Sequence, residues 1–162
     1  MELTYEKVLE WLEQYEVGAD VVDEAVAGLS EKHLTTPPSS SKWSIAQIVA
    51  HLVDTELVMI HRMRTVMAEG SGMLTAFSQD AWIKALHARE IPIGLSIATL
   101  RALRNYHAST LRNLENDALI MMMERTGTHD VDGSVSAFDL LKKTVMHLHH
   151  HTRQIQDIRN NQ

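Results

Sequence analysis

The sequence predicts an all-α protein, an antiparallel four-helix bundle with long crossover connections. Apolar residues recur every three or four positions through four long stretches, which is the period of a helix with one buried face. Turn-forming residues separate these stretches, and no run alternates apolar and polar residues convincingly enough to indicate a strand. The chain has 162 residues, 44% of them hydrophobic, so we expect residues 1–162 to form a single domain.

The first helix is predicted to run from Thr4 to about Leu34, with a bend at Gly18. Residues 35–41 contain two adjacent prolines among threonines and serines, and prolines interrupt a helix. This segment is therefore predicted to be a loop.

The second helix is predicted to begin after Ser44, because Ser44 and Gln47 form a capping-box pattern. Its apolar face continues to Gly70, which gives a helix of about 26 residues. The connection from Gly70 to Gly94 is predicted to be a crossover that contains a short helix from Ser78 through Leu86.

The third helix is predicted from about Ile93 to Asn116, and the last helix from its cap at Ser136 to about Ile158. Between them, residues 126–133 are rich in turn formers. They predict a surface loop shaped like a hairpin.

The composition excludes several function classes. The formal net charge is −6 and Lys and Arg form no dense run, so nucleic acid is not expected as a partner. The chain has no cysteine, which excludes disulfides and a cysteine nucleophile and leaves His, Asp and Glu as metal ligands. The N-terminus does not resemble a signal peptide, and no stretch approaches the roughly 20 apolar residues of a membrane span. We therefore expect a cytoplasmic protein with no membrane partner.

Ten histidines are present, and four of them cluster near the C-terminus. On a helical wheel, His147 and His151 fall on one flank of the last helix, whereas His149 and His150 point elsewhere. The i, i+4 spacing lets two imidazoles bind one ion. His51, at the margin of the apolar face of the second helix, is the third candidate. Three imidazoles and a water form an open site for a divalent ion.

The same spacing allows a second interpretation. His147 and His151 could be flank residues hydrogen-bonded to neighbours, while His51 pairs with Asp54 or Glu56 on its own helix. Without the glutamate of a HExxH motif, the spacing alone does not decide between the two interpretations.

Three segments resemble the DinB-like superfamily, the DinB/YfiT-type metal-binding four-helix bundles of bacteria that include YfiT-type thiol transferases. WSIAQIVAHLVDTE, residues 43–56, resembles the helix-two signature of that family, and FSQDAW, residues 77–82, is similar to the segment that follows it. HLHHHTRQI, residues 147–155, resembles its C-terminal double-histidine motif. The resemblance implies that His51, His147 and His151 bind the metal and that the protein is a homodimer.

An ion with an open coordination position either lowers the pKa of water or binds a thiol as thiolate. The expected protein is a metal-dependent enzyme that acts on a small molecule. An open site of this kind allows a small-molecule hydrolase, and the family resemblance implies a thiol S-transferase with a low-molecular-weight thiol as substrate. One divalent ion is expected, zinc or nickel ahead of iron or manganese. Asp54 and Gln154 are predicted to orient the ligands. No general base is predicted.

Two alternatives remain open at this stage. One is a non-catalytic metal-binding or stress-response module, and the other is a metal-free helical dimer. An open pocket beside the ion would favour the enzyme, a closed coordination sphere would favour the module, and separation of His51 from His147 would favour the dimer.

Overall fold

Eight α-helices and a small sheet make up the part of the chain that the computed structural model describes, residues 2–161. The helices are Tyr5–Glu16 (α1), Gly18–Val26 (α2), Glu31–Thr35 (α3), Ile45–Glu69 (α4), Gln79–Ala85 (α5), Ile93–Arg112 (α6), Asn116–Glu124 (α7) and Ala137–Asn160 (α8). The strands are Met73–Leu74 (β1), Thr126–His129 (β2) and Gly133–Ser136 (β3), and a 3₁₀ turn spans Ala88–Glu90.

The predicted four-helix bundle is confirmed. Helices α4, α6 and α8 are its three continuous members, and α1 and α2 together form the fourth. Helix α4 packs against α6 and α8, and α1 and α2 pack against the same two helices. The start of α4 is fixed by the predicted capping box, in which Gln47 N–H donates to Ser44 Oγ and Ser44 N–H donates to Gln47 Oε1 at 2.9 Å. Its end is fixed by Gly70 with a φ of 79°.

The prediction of one continuous first helix is wrong. The helix breaks at Val17, where α1 ends and α2 begins, and α3 is a separate short helix. At this break the buried Arg104 donates through Nη1 to the carbonyl oxygen of Tyr15 at 2.9 Å. A Cβ atom on Gly18 would lie 2.0 Å from that nitrogen. The break therefore gives Arg104 both space and an acceptor.

The prediction of no strands is also wrong, on a small scale. Strand β2 pairs antiparallel with β3 and parallel with β1. The predicted hairpin-like loop is the β2–β3 hairpin, with its turn at residues 130–132. These strands are two to four residues long, too short for an alternating pattern to be visible in the sequence. The third helix also ends earlier than predicted, at Arg112, and α7 follows it as a separate helix.

Buried apolar side chains form two clusters along the bundle. One cluster joins α1, the second half of α4, α7 and the first half of α8. The other joins α2, the first half of α4, α6 and the second half of α8. Because α4 and α8 contribute to both clusters, they connect the two halves of the core. Within residues 2–161, no helix combines the length and apolar character that crossing a membrane requires.

Candidate metal centre

Helices α4 and α8 bring the three predicted histidines together. His51 lies in the second turn of α4, and His147 and His151 lie one turn apart on α8. Nε2 of His147 is 3.2 Å from Nε2 of His51 and 3.1 Å from Nε2 of His151. One ring nitrogen of each residue lies within 4.8 Å of the other two.

These distances suit a shared metal ion. Zinc–nitrogen bonds of about 2.0–2.1 Å in tetrahedral geometry separate two ligand nitrogens by roughly 3.3 Å, close to the 3.1 and 3.2 Å observed. A set of three imidazole nitrogens suits zinc, nickel, iron and copper better than magnesium or calcium, which prefer oxygen. The donor set therefore fits a divalent transition metal.

The electrostatics of the cluster keep its rings neutral. Burial, and then the neighbouring His147 and His151, lower the pKa of His51 from 6.5 to about 3. Burial, and then His151, lower the pKa of His147 to about 4. Burial also lowers the pKa of His151. Neutral imidazoles are the form that binds metal, so the cluster is ready to accept a cation near pH 7.

The ring of His151 has a shorter hydrogen bond to a neighbouring side chain than the ring of His51 has. Nδ1 of His151 lies 2.8 Å from Oε1 of Gln154, an arrangement that places the proton on Nδ1 and leaves Nε2 facing the cluster with a lone pair. The hydroxyl of Thr55 lies 3.4 Å from Nε2 of His51. Asp54, the other residue predicted to orient a ligand, makes no hydrogen bond to these histidines within the described residues, and burial raises its pKa.

Glu56, offered above as a partner for His51, has other partners. Its Oε2 accepts from Nε of Arg104 at 2.8 Å, and its Oε1 accepts from the hydroxyl of Tyr15. Glu56 and Arg104 are each 1% exposed. Burial, and then the charge of Glu56, raise the pKa of Tyr15. This buried network holds α1, α4 and α6 together and leaves His51 free for the cluster.

Aromatic rings cover one side of the three histidines. The ring centroid of Trp43 is 5.0 Å from that of His51 and 6.4 Å from that of His151. Phe77, from the connection after β1, lies 6.4 Å from His51 and 4.8 Å from Trp82. The aromatic positions of two sequence segments, 43–56 and 77–82, therefore meet at one place.

A cavity of about 420 Å³ opens beside the cluster, between α4, α8, the β2–β3 hairpin and the segment around Phe77. His147 is the member of the cluster that lines it. Its other lining residues are Thr55, Met59, Arg62, Ala76, Phe77, Gln79, His129, Asp132, Val135, Leu140, Lys143, Thr144 and Met146. Its volume lies within the range of small-molecule sites, roughly 300–1,000 Å³. A second cavity of about 360 Å³ reaches Trp43 but none of the three histidines.

Sequence reasoning missed most of this cavity wall. Thr55 carried a usable signal, because it lies four residues after His51 and so shares its helix face. Arg62, His129 and Lys143 come from three separate elements. No spacing along the chain connects them, and only the tertiary structure brings them to one cavity.

The match to known proteins agrees with this geometry. The family model of the DinB superfamily matches residues 14–155. The chain belongs to the DinB superfamily. The match includes all three clustered histidines, the whole of α4, and α8 as far as residue 155.

Two curated relatives of this DinB-superfamily chain are named as the same kind of protein. A protein of Geobacillus thermodenitrificans is 30% identical over 158 residues, which cover 95% of this chain and 85% of the relative, and is named "Putative metal-dependent hydrolase". A protein of Oceanobacillus iheyensis with the same description is 26% identical over 153 residues, which cover 94% of this chain and 86% of the relative.

A solved structure supports the fold. YfiT from Bacillus subtilis superposes with a TM-score of 0.88 and 22% sequence identity, covering 99% of this chain and 90% of YfiT. It is described as "a probable metal-dependent hydrolase with an unusual four-helix bundle topology". At this identity the likeness shows that the two chains share the bundle fold.

Proposed function

We propose that this protein binds one divalent metal ion through His51, His147 and His151 and acts as a metal-dependent enzyme on a small molecule held in the adjacent cavity. The observation that carries the proposal is the convergence of three neutral ring nitrogens, with spacings of 3.1 and 3.2 Å, in a cluster whose member His147 lines a cavity of about 420 Å³. Because its relatives are named as metal-dependent hydrolases, hydrolysis is the first reaction to test.

In such a site a divalent ion would lower the pKa of water or polarise a carbonyl or phosphoryl oxygen. The residues of the chain have their own tasks. The imidazoles supply lone pairs, and Gln154 keeps the proton of His151 away from the cluster. Trp43 and Phe77 exclude bulk water from one side, which strengthens electrostatic interactions at the site.

Thiol transfer is the second reaction that we propose to test. The chain contains no cysteine, so a nucleophilic sulfur would have to arrive on a low-molecular-weight substrate. The same three histidines would hold the metal ion to which this sulfur binds, and zinc and nickel are the first metals to test. The two reactions therefore share a site and differ in the co-substrate, water or a thiol.

The geometry weighs against the two rival interpretations. A metal-free helical dimer gives no reason for His51 and His147 to meet at 3.2 Å. A sequestration module would be expected to close its ion on all sides, whereas His147 borders an open cavity. A single domain over residues 1–162, homodimeric assembly and cytoplasmic location stay predictions.

Metal content is the first test. Elemental mass spectrometry of untagged wild type is expected to find about one ion per chain, and His51→Ala and His147→Ala are expected to retain almost none. His149→Ala is the matched control, because His149 lies in the same tract but outside the cluster, and it should keep the ion. A wild type without stoichiometric metal after reloading would contradict the proposal.

Activity is tested on the same proteins. Metal-loaded wild type and His149→Ala are expected to turn over either p-nitrophenyl esters or a thiol with an electrophilic dye, and His147→Ala is expected to turn over neither. If wild type and the control bind metal but remain inactive across a broad panel of esters, amides and thiols, the non-catalytic module becomes the better interpretation.

A further inference from the structure

Two cationic side chains line the cavity beside the cluster, although the whole chain carries a net charge of −6. Arg62 from α4 and Lys143 from α8 both line it, together with His129 at the end of β2. Asp132 is the one acidic residue among the lining residues that the structure describes. The presence of these two cations is therefore a local feature that the overall composition does not predict.

Arg62 is the cation with the weakest partners. Its Nη2 donates to the carbonyl oxygen of Thr75, and its Nη1 lies 3.7 Å from Sδ of Met59. No carboxylate among the described residues is within ion-pair distance of it, whereas Lys143 pairs with Asp132 at 2.6 Å. Burial lowers the pKa of Arg62, while the nearby charges of Asp130 and Asp132 act to raise it without pairing with the guanidinium. A half-buried guanidinium with only neutral acceptors gains free energy when an anion binds.

His129 also lines this cavity, and its ring carries a hydrogen-bond donor. Its Nδ1 accepts from the backbone N–H of Val131 at 3.3 Å and of Asp132 at 3.2 Å. A neutral ring that accepts at Nδ1 carries its proton on Nε2. His129 lines the cavity, so Nε2–H is the donor that this ring would offer to a ligand there.

Apolar side chains supply a large part of the remaining cavity wall. The apolar residues are Met59, Ala76, Phe77, Val135, Leu140 and Met146. Along α4, Met59 lies between Arg62 and Thr55, which is next to His51. A ligand that reaches from the histidines to Arg62 would therefore pass an apolar wall.

We propose that the cavity selects small amphipathic anions, with a carboxylate or phosphate paired to Arg62 and an apolar chain that directs the opposite end to the three histidines. This inference rests on the proposed function, since it takes the same cavity as the substrate site. The planar guanidinium can hold either anion through two parallel hydrogen bonds, so both are tested.

Hexanoate, hexyl phosphate and hexanol are suitable probes, because they share an apolar chain and differ in charge. Titration of metal-loaded protein, followed by NMR, is expected to show at least one anion binding about tenfold more tightly than hexanol. The anion with the larger advantage identifies the preferred group. In Arg62→Met the advantage is expected to disappear, and in Arg62→Lys part of it should remain.

Arg64→Met is the matched control, because Arg64 lies on the same helix but contacts Tyr106 outside the cavity. It should keep the full advantage of the anion. If Arg62→Met does not fold, the shift of the Arg62 Nε–H resonance in wild type upon binding serves as the second measurement. Equal affinity for the anions and hexanol, or an advantage that survives loss of Arg62, would overturn the inference.

Metal content is measured on the same samples, so the two proposals fail separately. Arg62-dependent anion binding without stoichiometric metal would overturn the proposed function alone. Stoichiometric metal without anion preference would overturn this inference alone.

Discussion

The neighbours of His151 determine the tautomer and the orientation of its ring. Its Nε2 faces His147 at 3.1 Å and its Nδ1 faces Gln154 at 2.8 Å, so both ring nitrogens are occupied. Such outer contacts fix the tautomer and the orientation of a metal-binding imidazole. Asp54 makes no such contact within the described residues, although the sequence predicts the same role for Asp54 and Gln154.

We expect Gln154→Ala to weaken metal binding by about 10- to 100-fold, because the His151 ring loses the acceptor that orients it. Asp54→Ala is the matched comparison and should change the affinity less than about twofold, since no hydrogen bond to the cluster is lost. Competition with a chromophoric chelator measures both. Equal effects of the two substitutions would contradict the role of Gln154.

His107 is a buried histidine outside the cluster, and it links stability to pH. It is 1% exposed, and neither ring nitrogen has a partner among the described residues. Burial, and then the charge of Arg64, lower its pKa from 6.5 to about 4. Between these values the unfolded chain binds a proton that the folded chain does not, so folding loses stability as pH falls.

We expect this single residue to lower the free energy of unfolding by about 3 kcal/mol between pH 7 and pH 4. His107→Leu removes the titrating group, so its stability relative to wild type should rise by that amount across the same interval. Urea unfolding at successive pH values measures the difference. A difference that stays constant with pH would contradict the assignment.

At the scale of elements, the break between α1 and α2 is set by a contact with another helix. Periodicity alone favoured one helix from Thr4 to Leu34, with only a bend at Gly18. The helix breaks at Val17 because Arg104 of α6 lies against the adjacent Gly18 and donates hydrogen bonds to Tyr15 and Glu56. A buried guanidinium without hydrogen-bond acceptors would cost more free energy than the chain gains by continuing the helix for one more turn.

Gly18→Ala is expected to lower the free energy of unfolding by about 1–3 kcal/mol, because the new Cβ would lie 2.0 Å from Nη1 of Arg104. Gly94→Ala is the matched control in the first turn of α6, where a Cβ has no neighbour within 4 Å. It should stabilise the protein by about 0.5 kcal/mol. Chemical denaturation measures both, and similar effects at the two glycines would contradict the crowding argument.

At the scale of the whole molecule, the proposed site joins distant parts of the chain. His51 and His147 are 96 residues apart in sequence, and they meet only when α4 packs against α8. An ion bound there would have no comparable site in the unfolded chain, so its binding free energy would add to the stability of the fold.

We expect metal at 1,000 times its dissociation constant to raise the free energy of unfolding by about 4 kcal/mol. A chelator should reverse the gain. His51→Ala should show none of it, while His149→Ala should show all of it. Denaturation of metal-loaded and chelated samples tests this, and a gain that persists in His51→Ala would place the stabilising ion elsewhere.

The sequence by itself determined the long helices α4, α6 and α8, the cap at Ser44 and which three of the ten histidines lie together. These features depend on residues a few positions apart, or on segments that resemble a family, and both can be recognised along the chain. The tertiary structure decided the break at Gly18, the small sheet and the identity of the residues around the cavity. Each of these depends on groups that are far apart in sequence, such as Arg104 beside Gly18 or Arg62 near His129, and such contacts form only when helices and hairpin pack together.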